Sequence, residues 1–181
     1  MRLVIRPIEP GDRAAFIAAF ERLSATSRYR RFMSPHDHLS ESELRYFTEV
    51  DHHDHEALVA IDPDAGEGIG VARYVRDRER PDSAEIAVAV ADDWQGQGIG
   101  TELLHRLADR AREEGIGRFT ALMLADNQPM MHLLDDLGEV RILDEGQGAV
   151  ELAVDLPERG LGATLPTWLR SAARGALRLG G

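Results

Sequence analysis

The sequence predicts a protein of the α+β class, because strand patterns and helical patterns both recur along a chain of about one domain's length. The chain has 181 residues, of which 43% are hydrophobic and 29% are charged. This composition is typical of a folded globular domain. Short apolar runs of strand length dominate the middle of the chain, and segments with apolar residues at helical spacing lie among them. We therefore expect a sheet with helices packed against it.

The first part of the chain predicts a strand followed by helices. Residues 3–8 form the strand pattern, and a turn at residues 10–12 leads into a helical pattern. Residues 24–40 are polar and carry no clear period, so we expect an irregular segment there. Ser40 and Glu43 have the spacing of a capping box and predict the start of a short helix.

The middle of the chain predicts three successive strands, at residues 57–61, 69–75 and 84–91. The third is apolar at nearly every position, a pattern typical of a central strand that is buried on both faces. A glycine-rich turn follows it, and then a long helical pattern that ends at Gly115.

The last part of the predicted domain alternates again between strand and helix. We expect a strand at residues 118–124, a helix at 127–137, and strands at 139–143 and 149–156. Pro157 closes this domain, which we assign to residues 1–157.

Residues 158–181 differ in character and are predicted as a basic amphipathic tail. They hold four arginines against one glutamate, and Arg170, Arg174 and Arg178 share one helix face. Such a tail suits docking on the acidic domain of its own chain, self-association into a homodimer, or disorder. It also fits an anionic membrane or an acidic partner, and the sequence leaves these roles open.

Composition excludes several kinds of chemistry. The chain has no cysteine, which excludes disulfides, thiolate-bound zinc and an enzyme thioester, and it has no lysine, which excludes a Walker-A loop and Schiff-base catalysis. The net charge of −11 argues against nucleic acid as a partner and favours basic or amine-bearing ones. No signal peptide or membrane span is predicted, so we expect a cytoplasmic protein without a membrane partner.

The strongest functional signal is the junction between the apolar strand at residues 84–91 and the helix after it. Three glycines fall within five residues at this junction, at positions 96, 98 and 100. Glycine allows a backbone to approach a ligand closely, and a helix start offers free N–H groups to a phosphate. The spacing does not match the Rossmann fingerprint. Glycines alone are equally consistent with a tight turn that has no ligand.

The segment Gln95-x-x-Gly98-x-Gly100 resembles the pyrophosphate loop of the GNAT superfamily of acyl-CoA-dependent N-acyltransferases, and the resemblance covers residues 2–156. It implies a mixed, largely antiparallel sheet with helices on both faces, and acetyl-CoA as cosubstrate in a cleft between splayed strands. It also implies that the pantetheine arm lies along the backbone of Val88 and Val90. The residues it implies for the pyrophosphate are Gln95, Gly96, Gln97, Gly98, Ile99, Gly100 and Thr101.

A second segment, Asn127-x-x-Met130 with Leu137-Gly138 after it, also resembles the family. Asn127 suits a helix N-cap and, in the family, also touches the coenzyme; capping alone is the simpler interpretation. Leu134 stands where many members have a tyrosine that protonates the leaving thiolate, so the general acid is unassigned.

Glu85 is the candidate catalytic base. An acceptor amine with a pKa near ~10.4 is protonated at neutral pH and must lose a proton before it attacks. A carboxylate on the strand beside the cleft can take that proton directly or through water. An exposed glutamate at the end of a strand is the alternative interpretation.

The closer resemblance is to the catalytic domain of bacterial protein lysine acetyltransferases of the Pat type. Residues 27–32, the helix start at Leu39-Ser40, and Val50-Asp51 carry it. This resemblance implies a protein lysine as acceptor and direct attack in a ternary complex, which agrees with the lack of cysteine. Some of those enzymes have a nucleotide-binding regulatory domain, for which we expect no room in 181 residues.

Three alternatives remain open at this stage. Residues 51–55 contain three histidines and two aspartates, but their spacing suits a solvated loop better than a metal site, and we expect no metal. A small-molecule amine is an alternative acceptor. A non-catalytic acyl-CoA-binding regulatory module is an alternative function, since the usual tyrosine is missing.

Overall fold

The computed structural model describes residues 3–157, which form one seven-stranded sheet with helices on both faces. The strand order is β1-β2-β3-β4-β5-β7-β6. Neighbouring strands are antiparallel except β4 and β5, which are parallel. The strands are β1 (Val4–Pro7), β2 (His55–Asp62), β3 (Glu67–Arg76), β4 (Ser83–Val90), β5 (Arg118–Leu124), β6 (Val140–Gly146) and β7 (Ala149–Asp155). The predicted fold class is therefore confirmed.

The helices divide between the two faces of the sheet. On one face, α4 (Ile99–Glu113) packs on β2, β3 and β4, and α5 (Gln128–Leu137) packs beside it. The apolar side of α4 is fully buried there, and it forms the main core with residues of the sheet. On the other face, α1 (Arg13–Glu21), α2 (Ala25–Phe32) and α3 (Glu41–Thr48) precede the central strands. Phe16 and Val71 pack there against a smaller core.

The prediction of an irregular segment at residues 24–40 is wrong over its first half. Ser24 caps α2, its side chain accepting a hydrogen bond from the Ser27 N–H at 3.1 Å. No residue of this helix is fully buried, so the sequence lacks the continuous apolar stripe that would reveal it. The capping box at Ser40 and Glu43 is confirmed, and it starts α3.

The expectation that the third central strand is buried on both faces holds only for part of β4. Ala84 and Ile86 are 0% and 4% exposed, but Glu85 between them is exposed. The last four residues, 87–90, are only half-buried, because no strand pairs with that side of β4 beyond residue 85.

The other predicted elements agree with the structure to within a few residues at their ends. The strand at 118–124 coincides with β5, and Asn127 immediately precedes α5 as its N-cap. Within residues 3–157, no helix is long and apolar enough to cross a bilayer. The predicted tail at residues 158–181 lies outside the described residues.

Candidate active site

The parallel strands β4 and β5 come apart after three residues. Their pairing covers only residues 83–85 of β4 and 118–120 of β5. Beyond that point β5 stays paired with β7 up to Leu124, whereas β4 continues to Val90 with an unpaired edge. We call the resulting opening between residues 86–90 and β5 the strand fork.

The backbone of β4 directs polar groups into the strand fork. The Ala91 N–H donates to the Ile69 carbonyl on the β3 side at 2.9 Å. Because backbone groups alternate in direction along a strand, those of Val88 and Val90 point to the opposite edge. The Val90 carbonyl accepts a hydrogen bond from Gln95 Nε2 at 3.0 Å. The N–H and carbonyl of Val88 therefore face the opening.

The loop between β4 and α4 is shaped by two glycines in left-handed conformation. Gly96 has φ = 72° and Gly98, the N-cap of α4, has φ = 81°. No atom lies within 4 Å of where a Cβ would stand at either position. No side chain caps α4, so its first N–H groups are available to an anion, and the helix dipole favours negative charge there.

The two glutamines of the loop differ in their contacts. Gln95 Nε2 also lies 3.3 Å from Asp92 Oδ1 and 3.4 Å from Ser27 Oγ, so its side chain holds the loop against β4 and α2. The side chain of Gln97 donates to the Asp93 carbonyl at 3.2 Å and does not line the cleft described next.

A cleft of about 490 Å³ runs from the strand fork along the start of α4. Most of the sequence-predicted binding residues line it: Val88, Val90, Gln95, Gly96, Gly98, Ile99, Gly100, Thr101 and Asn127. Lining residues that the sequence did not indicate come from α2 and α5, and they include Ser27, Arg30, Arg31, Met130, His132 and Leu133. The two arginines belong to the segment that carries the Pat resemblance. Because no helix was predicted there, the sequence could not predict that these side chains line the cleft.

Asn127 joins the cleft to the start of α5. Its side-chain Oδ1 accepts from the Met130 N–H at 3.4 Å, and the residue is only 9% exposed. Leu133 on the same helix lies close to Gly100, where an added Cβ would stand 3.2 Å from its Cδ1. Leu134, at the position where the family often has tyrosine, is 1% exposed and belongs to the core.

Glu85 lies at the apex of the strand fork and not in the cleft wall. It is the last residue of β4 that pairs with β5, opposite Thr120. Its side chain is exposed, and its carboxylate forms no hydrogen bond or ion pair with another residue of the described range 3–157. Val88 is three residues further along the strand, roughly 10 Å away at 3.3 Å per residue.

A pair of arginines lies on the same face of the sheet as Glu85. Arg73 of β3 is 4% exposed, and its Cζ stands 4.6 Å from the ring centroid of Phe47. The Cζ of Arg31 in α2 is 5.8 Å from the same ring. Burial, and then the charge of Arg31, lowers the pKa of Arg73 to about 9. Burial also lowers the pKa of Arg31.

Arg73 is held by neutral acceptors. It donates to the Phe47 carbonyl at 3.2 Å and contacts His55 Nε2 at 3.0 Å. Burial, followed by the charge of Arg73, lowers the pKa of His55 to about 4, so the unprotonated Nε2 accepts this hydrogen bond.

The histidine-rich segment at residues 51–55 is ordered by its own hydrogen bonds. Asp51 Oδ1 accepts from the backbone N–H groups of His53 and His55, at 2.9 and 2.8 Å. His52 Nδ1 lies 2.8 Å from Oε1 of Glu56, which is 1% exposed. Among residues 3–157, no group of three or more potential ligand side chains is placed to hold a metal ion. These contacts stabilise the loop that precedes β2.

The strand fork, the uncapped glycine start of α4 and the adjacent cleft together form the kind of site that the sequence predicts for acyl-CoA. Residues 2–139 match the family model described as the acetyltransferase (GNAT) domain. The chain belongs to this family, whose model covers more than half of it, and named acetyltransferases are among its relatives. Acetyl-CoA is the cosubstrate that the family uses.

Relatives of the chain include named acetyltransferases. The chain is 37% identical over 153 residues to acetyltransferase Pat of Mycolicibacterium smegmatis, covering 84% of this chain but only 45% of that protein. It is 32% identical over 140 residues to acetyltransferase PA5475 of Pseudomonas aeruginosa, covering 76% of this chain and 75% of the relative. The crystal structure of the GNAT domain of S. lividans PAT superposes with a TM-score of 0.77 at 34% identity, covering 84% and 89% of the two chains.

Proposed function

We propose that this enzyme acetylates lysine side chains of proteins, with Glu85 as the base. The observation that carries the proposal is the position of Glu85, an unpartnered carboxylate at the apex of the strand fork, open to an incoming side chain. The resemblance to Pat-type lysine acetyltransferases and the net charge of −11 support a basic protein acceptor.

The volume of the cleft and the backbone groups along it support a coenzyme site there. The backbone N–H groups at residues 96–101 would hold the pyrophosphate, because they lie at an uncapped helix start and no side chain at Gly96 or Gly98 obstructs them. Val88 and Val90 would align the pantetheine arm along the unpaired edge of β4. The bound coenzyme supplies an acetyl group activated as a thioester.

Glu85 and Val88 divide the proposed chemistry between them. Glu85 accepts the proton that the acceptor ammonium must lose. Because Glu85 and Val88 are separated by three residues along β4, we expect water to relay this proton. The amine nitrogen then bonds to the carbonyl carbon as the carbon–sulfur bond breaks. The Val88 N–H, which faces the strand fork, stabilises the charge that develops on the carbonyl oxygen. The thiolate leaves without a side-chain acid at position 134 and takes up the second proton, which the attacking nitrogen loses as the amide forms. The products are the N-acetylated amine and free CoA.

The test is acceptor-dependent release of free CoA thiol from acetyl-CoA, measured for the natural protein and for Glu85→Gln. We expect kcat/KM to fall by ~10²-fold at neutral pH in the variant, the lower end of general-base effects. The loss should shrink as the pH approaches ~10.4, where the amine deprotonates unaided. Affinity for acetyl-CoA, measured by calorimetry, should stay nearly the same because Glu85 does not line the cleft.

Intact-mass spectra of lysine-bearing acceptor proteins identify the acceptor class in the same experiment. The enzyme has no cysteine or lysine, so its own side chains add no thiol or amine to the signal. Thiol release with small amines, but no mass gain on proteins, would contradict the lysine proposal. Equal rates for the natural protein and for Glu85→Gln across the pH range would show that Glu85 is not the base. Tight acetyl-CoA binding without release under every acceptor would instead indicate a regulatory module.

A further inference from the structure

Arg31 and Arg73 have no acidic partner within the described residues. Neither guanidinium has a carboxylate within 4 Å, and Arg31 makes no hydrogen bond at all in residues 3–157. Over the range 3–157, Asp12 is the one acidic residue that lines the cavity next to both arginines, which is described below. Its carboxylate is bound to Arg6, with Asp12 Oδ1 2.6 Å from Arg6 Nη2. The charge of Glu85 acts on Arg31 only from beyond ion-pair distance.

An unpaired cation of this kind is costly, and two together are more so. Buried guanidinium groups are ordinarily paired, because removing a charge from water costs several kcal/mol. Arg73 is 4% exposed, and the charge of Arg31 adds repulsion. The rings of Phe16, Phe32 and Phe47 offset part of this cost through cation–π contacts. An anion bound beside the two guanidinium groups would relieve the remaining cost.

The arginine pair opens toward the cleft. A cavity of about 60 Å³ lies between α1 and the sheet, and both arginines are among the residues that line it. Its other walls are almost entirely apolar, and phenylalanine and alanine are the most frequent residues in them. Arg31 and Ala89 line this cavity and also the cleft of the coenzyme. A reactant held at Val88 is therefore one residue along β4 from the cavity.

We propose that Arg31 and Arg73 form a subsite for a carboxylate on one of the two reactants. This carboxylate is either the far end of a dicarboxylic acyl group on CoA or a group of the acceptor. The planar forks of arginine suit a carboxylate, and the apolar walls suit a short hydrocarbon chain leading to it. This inference rests on the proposed function, because it places the reactants in the cleft. The phosphates of the coenzyme are expected at the start of α4.

Two pairs of substrates distinguish the sources. In the donor arm, succinyl-CoA and butyryl-CoA are compared with a lysine amide acceptor, since both acyl groups have four carbons and only one ends in a carboxylate. In the acceptor arm, acetyl-CoA is used with an amino acid and with its amide. The readout in each arm is the ratio of kcat/KM with and without the carboxylate.

We expect one arm to favour the carboxylate by ~10-fold or more, the effect of a charge-assisted hydrogen bond at a buried site. Arg31→Gln should bring this ratio close to one. Arg45→Gln, which changes an exposed arginine of α3, should keep the wild-type ratio. A ratio near one in both arms for the wild type overturns the proposal, whether or not the variant folds. A ratio that survives in folded Arg31→Gln does the same.

Equilibrium binding separates this inference from the proposed function. If no acceptor is turned over, the proposed function fails, while calorimetry still compares succinyl-CoA with butyryl-CoA, and the amino acid with its amide in the presence of CoA. A preference for the carboxylate that is lost in Arg31→Gln then supports the subsite. Equal affinities in both comparisons overturn it.

Discussion

At the scale of single residues, the burial of His55, followed by the charge of Arg73, decides the protonation of His55. Arg73 donates to His55 Nε2, which requires the imidazole to be neutral, and the pKa of His55 is about 4 in the folded protein. In the unfolded chain a histidine titrates near ~6.5. Between these two values the unfolded chain binds a proton that the folded protein does not, so falling pH favours unfolding.

His55→Gln tests this linkage, because glutamine can still accept from Arg73 but does not titrate. We expect the wild type to lose ~1 kcal/mol more stability than the variant between pH 6.5 and 4.5, a value reduced from the full linkage because His55 is only half-buried. Urea unfolding at both pH values measures the loss of stability in each protein. The contributions of other titrating groups are the same in both proteins and cancel in the comparison. Parallel pH profiles for the two proteins would show that His55 is not the group responsible.

At the scale of the element, we expect Asn127 at the start of α5 to serve both as a helix cap and as a contact of the coenzyme. Asn127 caps the helix through its side-chain oxygen and also lines the cleft. Asn127→Ala should lower stability by ~1 kcal/mol, the usual effect of a lost N-cap. Asn127→Asp keeps the cap but places a carboxylate beside the anionic coenzyme, so it should leave stability unchanged and weaken binding of CoA.

Thermal unfolding and calorimetry of both variants separate the two functions. The aspartate variant serves as the matched control for capping, because aspartate is as good an N-cap as asparagine. Wild-type affinity for CoA in Asn127→Asp would mean that Asn127 acts as a cap alone.

The helix α2 shows the limit of pattern analysis for an element. Its polar sequence, residues 25–32, contains three arginines and no fully buried residue. It is stabilised by tertiary contacts instead, since Phe32 packs against Phe20 and the guanidinium of Arg28 lies over the Phe20 ring. Such contacts join residues that only the folded chain brings together.

At the scale of the whole molecule, the net charge of −11 should steer basic acceptors to the enzyme. Salt weakens this steering, because the Debye length falls from ~30 Å at 0.01 M to ~10 Å at 0.1 M ionic strength. For a lysine peptide rich in arginine, we expect KM to rise several-fold over this range. A peptide with one lysine and no other charge is the control, and its KM should change little. Equal salt dependence for both peptides would exclude steering by the enzyme's charge.

Most of the fold and part of the site could be predicted from the sequence. The strand and helix periods, the capping box at Ser40 and the glycines before α4 are local signals, and the structure places elements where they indicate. The roles of Glu85 and of the binding residues remain predictions. No signal in the sequence joined Arg31 to Arg73, because each residue by itself is one of many arginines in a charged sequence.

The sequence by itself determined the order of the elements apart from α2, the position of the glycine loop and the family resemblance, because these depend on residues near one another in the chain. Only the tertiary structure decided where β4 leaves β5, since that depends on β7 pairing with the full length of β5. It also decided that Arg31 and Arg73 meet beside the cleft. These two residues are 42 positions apart in sequence and share a cavity only after α2 packs across the sheet. No local sequence pattern could therefore indicate that they lie close together.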